Sequence, residues 1–322
     1  MRISVVVPVL NEERSIRALL DGLMDQTRPP EEIVIVDGGS TDATPRIVEE
    51  YKVQNDRVQL IRELNALPGR GRNVGAASAT CEWLAFIDAG VRPARDWLAR
   101  IAEHAESDPN VDVVYGAWEP VTDSFFKECA AMAYAYVPLN GVDEHSRAIL
   151  SSLMRRSVWQ EVGGFAEHLR SAEDLLFMGK VDSAGFKIAY APAALVSWNM
   201  QPSLWRTFKR FVIYSRNNLK AGLGKHWQTA ILRRYLVLLV IAVMFYLFTP
   251  WWPLATAVSL FLMFVARSLA VLWRNRKRFS ASVERNVLRI LMLIPLLITL
   301  DAATIAGTLN WLLRDKMHVI KD

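Results

Sequence analysis

The sequence is poor in the residues that form covalent or metal-centred frameworks. It contains two cysteines, Cys81 and Cys129, and five histidines among 322 residues. Two cysteines cannot supply a set of disulfides or the paired spacing of a zinc site. The sequence therefore excludes a disulfide-stapled secreted domain, and it is consistent with a reducing compartment.

Charged residues are nearly absent from three stretches in the last third of the chain. These stretches cover residues 231–252, 254–273 and 287–313. Each approaches or exceeds the ~20 apolar residues that a membrane-crossing helix needs. We therefore predict a transmembrane region of about three helices over residues 231–313, followed by a tail at residues 314–322.

Charge placement predicts how this region crosses the membrane. The segment RNRKRFSASVER, between the second and third stretches, is rich in Lys and Arg, so we expect it on the cytoplasmic side. Three crossings would then place the tail outside, and a third segment that lies shallow or returns is the alternative. Arg267 and Asp301 are predicted to lie at different depths, so we do not expect them to pair.

The basic residues favour a membrane surface over nucleic acid as the partner. The formal net charge is +5, and much of the excess lies in WRTFKRFVIYSRNNLK and RNRKRF, beside the apolar stretches. Basic and aromatic residues alternate on a helix in this way when it lies at a lipid surface. We predict an interfacial amphipathic helix within residues 201–230, with a helix packed on protein as the alternative. No nucleic-acid motif accompanies the charge, so we expect no nucleic-acid partner.

Residues 1–200 have the pattern of a soluble α/β domain. The apolar run near the N-terminus is too short for a signal peptide, and we interpret it as a first strand. Apolar β-branched runs then alternate with helical periodicity, which predicts a Rossmann-like, mostly parallel sheet with helices on both faces. Polar residues follow four of the strands, and ligands of such sheets bind at the carboxyl ends of the strands.

Four of these segments carry a family resemblance. VVVPVLNEE, IVDGGSTDAT, GRGRNVGAA and FIDAGVRPARDWL resemble, in order and spacing, the nucleotide-binding half of glycosyltransferase family 2. The similarity continues through SSLMRRSVWQEVGGF and AEDLLFMGKVDSAGFKIAY and covers roughly residues 1–200. It implies a GT-A fold and a nucleoside diphosphate sugar as donor.

The resemblance assigns a donor site to the loops. Asp37 matches the family's base-binding acid, although many relatives have a second Asp where this chain has Gly38. Arg70 and Arg72 are expected in a Gly-rich loop near the ribose or the diphosphate, since an Arg fork matches phosphate oxygens. The predicted nucleotide-sugar-binding residues are Pro8, Leu10, Glu12, Asp37, Gly69, Arg70, Arg72, Asp88 and Ala89.

The metal position departs from the family pattern. Asp88 matches the first acid of the family's D-x-D motif, which holds Mg²⁺ or Mn²⁺, but Gly90 replaces the second acid. Some relatives also use a later histidine, where this chain offers Trp198. We expect a divalent cation, Mg²⁺ or Mn²⁺, with Asp88 as its ligand from the protein.

A second acidic pair opens a predicted helix. Asp174, beside Glu173, matches the residue that serves as general base in the family, where it removes the proton from an acceptor hydroxyl. Ser151, Ser152, Arg155 and Arg206 are predicted to line the acceptor or the diphosphate. The processive Q-x-x-R-W motif is absent from the sequence, which favours transfer of a single sugar.

The sequence thus predicts an inverting glycosyltransferase anchored in the cell inner membrane, with a cytoplasmic catalytic domain. It would move one sugar from a nucleotide sugar to a hydroxyl of a lipid-linked saccharide in envelope polysaccharide or glycan assembly. Three alternatives remain open: transfer to polyprenyl phosphate, glycolipid synthesis, and a non-catalytic membrane scaffold.

Overall fold

A computed structural model describes residues 1–135, 148–224 and 228–316. The chain divides into two units, one formed by Met1–Val121 with Pro138–Asn199 and the other by Thr122–Val137 with Met200–Asp322. The predicted division at residue 200 does not include the inserted segment that belongs to the second unit. Residues 317–322 of the predicted tail lie outside the described residues.

The first unit is built on one sheet of eight strands. They are β1 (Ile3–Val9), β2 (Glu32–Asp37), β3 (Val58–Arg62), β4 (Trp83–Phe86), β5 (Val91–Pro93), β6 (Val113–Val121), β7 (Ser152–Arg155) and β8 (Ile188–Asn199). Their order across the sheet is β3-β2-β1-β4-β7-β6-β8-β5.

The strand pairs confirm the predicted α/β class and add two antiparallel strands. β1 lies parallel to β2 and β4, β2 to β3, and β6 to β8. β7 runs antiparallel to β4 and β6, and β5 runs antiparallel to β8. All six residues of β2 are buried, as expected for a central strand whose two faces are both covered by helices.

Helices of the first unit cover the sheet. They are α1 (Ile16–Met24), α2 (Thr44–Gln54), α3 (Pro68–Ser78), α4 (Trp97–Ser107), α6 (Arg156–Glu161) and α7 (Glu173–Ala184), with a 3₁₀ turn at Ile149–Ser151. In α1 the apolar residues spaced three and four apart are all buried: Ile16, Leu19, Leu20 and Leu23. Burial of this stripe fixes the helix on the sheet because apolar area leaves water.

The second unit is helical in its described part. Its helices are α5 (Phe125–Ala130), α8 (Leu204–Lys220), α9 (Gln228–Phe248), α10 (Trp252–Asn275) and α11 (Val283–Trp311), with π-helical turns at Ala131–Ala135 and Leu312–Lys316. Three segments are long and apolar enough to cross a membrane: Gln228–Phe248, Trp252–Asn275 and Val283–Lys316.

One expectation for this region is wrong. Arg267 and Asp301 do pair: the two terminal nitrogens of Arg267 donate to the two carboxylate oxygens of Asp301 at 2.5 and 3.0 Å. The expectation rested on different depths for the two residues. The pair shows that these two residues lie at the same level of the helical unit.

The predicted amphipathic helix corresponds to α8. It exposes Trp205 and buries Phe211 and Ser215. Its packing partner is α11, since the Ser215 hydroxyl donates to the carbonyl of Thr304 at 2.8 Å. The two helices approach closely at Gly307, where a side chain would come within 2.5 Å of a carbonyl of α8.

Candidate active site

The nucleotide-binding residues predicted on β1 and β2 come together at one edge of the sheet. Asp37 is the last residue of β2 and lies opposite Val9, the last residue of β1. Pro8 precedes Val9 and is partly buried, and Leu10 follows it and is exposed. Asp37 itself is buried, and its carboxylate accepts hydrogen bonds from the backbone N–H of Ser40 at 3.1 and 3.3 Å. Asp37 therefore holds the loop that follows β2, and its own side chain is buried beneath that loop.

The loops that follow these two strands are bonded to each other. The side-chain oxygen of Asn11, whose φ is 55°, accepts from the backbone N–H of Thr41 at 2.9 Å. One residue later, the backbone N–H of Glu12 donates to the hydroxyl of Thr44 at 2.8 Å. Glu12 is thus held at the same edge as Leu10 and Asp37.

Arg72 is the centre of a buried charged cluster. One terminal nitrogen donates to Glu173 Oε1 at 2.6 Å, and the other donates to Asp88 Oδ1 at 2.6 Å. The Arg72 side chain is 5% exposed, whereas that of Asp88 is 40% exposed. Burial disfavours the charged guanidinium, but the carboxylates of Asp88, Glu173 and Asp174 outweigh it and raise the pKa of Arg72. Arg72 thus joins the acid that follows β4 to the acid that opens α7.

Asp174 lies beside this pair, in the first turn of α7. Burial, and next the negative charge of Glu173, raise the pKa of Asp174 to about 6, although Arg72 acts in the opposite direction. Ala172, which immediately precedes α7, has a φ of 70°, a left-handed conformation that is strained for alanine. Backbone strain of this kind is common where a site fixes the direction of a side chain.

The predicted glycine-rich loop around Arg70 and Arg72 needs correction. Gly69, Arg70 and Arg72 were expected in a glycine-rich loop, but they form the first turns of α3. A side chain at Gly69 would come within 2.3 Å of the Ala166 carbonyl, so packing within the protein already requires this glycine. Arg70 is half exposed and pairs with Glu63 and Glu167 at 2.9 and 3.2 Å.

The two glycines that replace family acids differ in their surroundings. A β-carbon on Gly38 would lie 2.6 Å from the carbonyl oxygen of Ala66, so the loop around Gly38 has no space for a side chain. A β-carbon on Gly90 would meet no atom within 4 Å. Between the strand and Gly90, Asp88 is partly exposed and Ala89 is buried. The missing acid at position 90 therefore leaves open space beside Asp88.

Three residues predicted for the acceptor or the diphosphate, Ser151, Ser152 and Arg155, are not brought to the Arg72 cluster. Ser151 and Ser152 are fully buried, with Ser151 bonded to Trp97 Nε1 at 2.9 Å and Ser152 to the Ile149 carbonyl at 3.0 Å. Arg155 lies opposite Trp83 at the start of β4, the strand end away from Asp88, and pairs with Glu82 at 2.8 Å. These contacts make the three residues part of the framework. Arg206 lies exposed on α8 in the second unit.

Two residues that support the Arg72 cluster, Phe165 and Asn73, were not predicted from the sequence. Phe165 lies under Arg72, with the guanidinium carbon 5.4 Å from the ring centre. Asn73 binds the backbone of Phe165 twice, donating to its carbonyl and accepting from its N–H, both at 2.9 Å. Both residues lie in segments that carry the family resemblance, GRGRN and GGF, but the spacing of the two segments does not predict that they are in contact.

Comparisons with known proteins agree with this architecture. Residues 4–154 match the family model described as Glycosyl transferase family 2. The predicted resemblance to glycosyltransferase family 2 is thereby confirmed over residues 4–154. It is 27% identical over 195 residues to Glycosyltransferase AglE of Haloferax volcanii, covering 59% of this chain and 64% of that protein. It is 28% identical over 252 residues to Succinoglycan biosynthesis protein ExoA of Rhizobium meliloti, covering 75% and 76% of the two chains. The chain thus spans less than two thirds of AglE.

A solved structure supports the GT-A fold. The mannosyltransferase PcManGT from Pyrobaculum calidifontis, solved in complex with GDP-Man and Mn²⁺, superposes with a TM-score of 0.59 at 23% identity. The similarity covers 97% of this chain and 87% of that chain. At this identity it is evidence for the fold of the glycosyltransferase domain, and the chemistry must be argued from the residues.

The donor set for a divalent cation is small. Among the described residues, no three Asp, Glu, His or Cys side chains are grouped to hold a metal. Asp88 offers its exposed carboxylate, of which one oxygen is bonded to Arg72. Trp198, aligned with the family histidine, lies on β8 opposite Val91 and carries no metal-binding atom. A cation at this position would have Asp88 as its ligand from the protein.

Proposed function

We propose that the protein is an inverting glycosyltransferase that moves one sugar from a nucleoside diphosphate sugar to a hydroxyl of a membrane lipid-linked saccharide. One observation carries the proposal: Arg72 is bonded at 2.6 Å both to Asp88 and to Glu173, the neighbour of Asp174 in the first turn of α7. Arg72 thereby links the proposed base, Asp174, to Asp88 at the edge of the sheet where the donor is proposed to bind. A structural helix-opening acid would not need this link.

In the proposed reaction Asp174 is the general base. It accepts the proton of the acceptor hydroxyl while that oxygen attacks the anomeric carbon, and the bond to the diphosphate breaks with its electron pair leaving on the diphosphate. One displacement inverts the anomeric centre. Near neutral pH a carboxylate of pKa about 6 is mostly ionised and still basic enough to take the proton.

Arg72 acts on the reaction through its neighbours. Because both terminal nitrogens are bonded to carboxylates, it is a positioning residue that holds Asp88 and Glu173. Pro8, Leu10, Glu12 and the loop shaped by Asp37 are proposed to receive the base and ribose. This role for the edge follows the rule that ligands of α/β sheets bind at the carboxyl ends of the strands.

The charge of the cluster favours a cation with the donor. Arg72 faces three carboxylates, those of Asp88, Glu173 and Asp174, so the cluster is negative when all are ionised. A nucleoside diphosphate is also negative and needs a compensating charge. Asp88 is the residue that would hold Mg²⁺ or Mn²⁺, which when bound would neutralise the diphosphate leaving group.

A hydroxyl acceptor explains the base better than a phosphate acceptor does. Polyprenyl phosphate is already ionised at neutral pH and needs no base, whereas a hydroxyl needs one. The three apolar segments support a lipid-linked acceptor, and the similarity to the succinoglycan biosynthesis protein ExoA supports polysaccharide assembly. We place the enzyme in the cell inner membrane with its catalytic domain cytoplasmic.

The test uses the purified full-length protein in detergent. It is incubated with a panel of radiolabelled nucleotide sugars and with polyprenyl diphosphate-linked saccharide, polyprenyl phosphate or diacylglycerol, with and without EDTA. We expect transfer to the saccharide hydroxyl, inversion of the anomeric centre, and loss of transfer in EDTA. Product on polyprenyl phosphate or diacylglycerol would instead establish one of the alternatives.

Asp174→Asn separates catalysis from scaffolding. Removing the base should lower kcat by about 10²–10⁴-fold, while the donor still binds. Asp182→Asn, at an exposed acid of the same helix, is the matched control and should keep wild-type kcat. Equal rates for the two variants would overturn the proposed role of Asp174.

A further inference from the structure

The third apolar helix occupies an unexpected place in the second unit. At its beginning, Arg289 of α11 is buried and its Nη2 pairs with Glu128 Oε1 at 2.5 Å. One helical turn from Glu128, the carbonyl of Met132 accepts from the side chain of Asn275, the last residue of α10, at 3.2 Å. The beginning of α11 therefore lies next to the end of α10.

The other half of α11 lies next to the beginning of α9. Ser215 of α8 donates to the Thr304 carbonyl of α11 at 2.8 Å. The same Ser215 hydroxyl accepts from the side chain of Gln228, the first residue of α9, at 3.2 Å. Beyond the end of α11, Asp315 pairs with Arg216 of α8 at 2.8 Å and with Lys220 of α8 at 3.0 Å.

These contacts fix the course of α11. The end of α10 and the beginning of α9 lie at the same end of the α9–α10 hairpin, since the two helices are joined by a short turn at the other end. Fifteen residues separate Arg289 from Thr304, which is about 22 Å of helix. A helix running alongside α9 and α10 would by then be near the hairpin turn. Instead α11 leads from the last turn of α10 to the first turn of α9.

The ion pair between Arg267 and Asp301, which was not expected from the sequence, agrees with this course of α11. Asp301 contacts Arg267 of α10 at 2.5 Å and the hydroxyl of Tyr235 of α9 at 3.2 Å. Each of these partners lies about two helical turns from the base of its own helix. The middle of α11 is therefore slightly above the base of the hairpin, and its two ends are at the base.

Burial separates α11 from the two helices of the hairpin. In the most apolar 18-residue window, 39% of the third segment is buried inside the protein, against 0% and 17% for α9 and α10. The side of α11 that remains exposed is an apolar stripe with helical spacing: Val287, Leu291, Ile298, Ile305 and Leu309. Arg274 lies in the last turn of α10, and Arg276, Lys277 and Arg278 lie in the connection that leads to α11.

We propose that α11 does not cross the membrane but lies along the leaflet that α9 enters, with its apolar stripe facing the acyl chains. A helix with one protein-covered face, one apolar face and adjacent basic residues suits the boundary between headgroups and acyl chains. The chain then crosses twice, and Lys316 is on the same side as Lys277. This inference does not depend on the proposed sugar transfer.

Cysteine labelling tests the sidedness in the full-length chain. Single cysteines are introduced as Trp251→Cys, Lys277→Cys and Lys316→Cys, with Arg314→Cys as a second position, in a background where the buried Cys81 and Cys129 are replaced by alanine. Bacterial spheroplasts are treated with a membrane-impermeant maleimide. We expect labelling of Trp251→Cys in intact spheroplasts, and of the other three only after permeabilisation.

Two outcomes overturn the proposal. Labelling of Lys316→Cys and Arg314→Cys in intact spheroplasts would show that α11 crosses. Protection of Trp251→Cys until permeabilisation would show that the α9–α10 hairpin does not cross.

Depth measurements test the orientation of α11 directly. Nitroxide labels at Leu291, Ile298 and Ile305 in the purified protein, reconstituted in phosphatidylcholine–phosphatidylglycerol vesicles, report their depth from collisions with oxygen and a nickel chelate. A helix along the leaflet places all three at a similar shallow depth. A crossing helix changes the depth by about 10 Å for each seven residues, and that gradient would refute the proposal.

Discussion

At the scale of single residues, the Arg72 cluster sets the properties of the proposed base. Asp174 gains its raised pKa from burial first and from the charge of Glu173 second, and Arg72 limits the rise. A carboxylate takes up a proton only in its ionised form, so activity should follow the ionisation of Asp174. The arrangement therefore predicts both the pH dependence and how a neighbouring substitution changes it.

The first prediction concerns the pH profile of kcat. Below a midpoint near pH 6, Asp174 becomes protonated, so kcat should fall about tenfold per pH unit and level off above neutrality. Glu173→Gln removes a neighbouring negative charge and should move the midpoint to lower pH. The measurement is kcat from pH 5 to 8 at saturating donor and acceptor. An unchanged midpoint in Glu173→Gln would contradict the coupling of the two acids.

The second prediction concerns stability. Arg72→Met leaves the buried carboxylate of Glu173 without its partner, and breaking a buried pair of this kind costs about 3–5 kcal/mol. Arg70→Met, two residues away on the same helix, removes only exposed pairs and should change stability little. Thermal unfolding in detergent measures both. Similar losses for the two variants would contradict the central position of Arg72.

At the scale of elements, sequence periodicity predicts a helix or strand because burial repeats at fixed spacing. Thus Ile16, Leu19, Leu20 and Leu23 predicted the buried face of α1. The same reasoning cannot predict that Arg72 meets Glu173, which is 101 residues later in the chain. It also predicted a loop for the first turns of α3, where Gly69 instead serves close packing against Ala166.

The third prediction compares the loops that follow β2 and β4. Gly90→Asp has open space and adds a carboxylate near Asp88, so half-maximal activation by Mn²⁺ after EDTA treatment should need about tenfold less metal, equal to ~1.4 kcal/mol. Gly90→Ala is the control for the side chain without the charge. The prediction fails if Gly90→Asp and Gly90→Ala need the same Mn²⁺ concentration.

Gly38 provides the contrast. Gly38→Ala forces the Ala66 carbonyl to move, since the two atoms would be 2.6 Å apart. Overpacking of this kind costs about 1–3 kcal/mol, which thermal unfolding would detect, whereas Gly90→Ala should unfold like the wild type. This difference explains in physical terms why the loop after β2 has a glycine at position 38.

At the scale of the whole molecule, the two units are interleaved in sequence. Residues 122–137 interrupt the first unit yet belong to the second. Within that segment Cys129, Ala130, Ala131 and Met132 are fully buried, and Glu128 pairs with Arg285 and Arg289 of α11. Composition cannot predict this, because a short apolar segment inside an α/β domain resembles any other core segment.

The interleaving determines how the protein tolerates truncation. A fragment ending at Asn199 keeps residues 122–137 but loses α8–α11, so their buried apolar side chains and Glu128 become exposed. We expect this fragment to aggregate, because an exposed apolar patch promotes association. A matched fragment, in which a Gly/Ser linker of equal length replaces residues 122–137, should be monomeric and should bind the nucleotide donor. Gel filtration and nucleotide titration measure the two properties. A monomeric native-sequence fragment with the same donor affinity would show that residues 122–137 do not need the second unit.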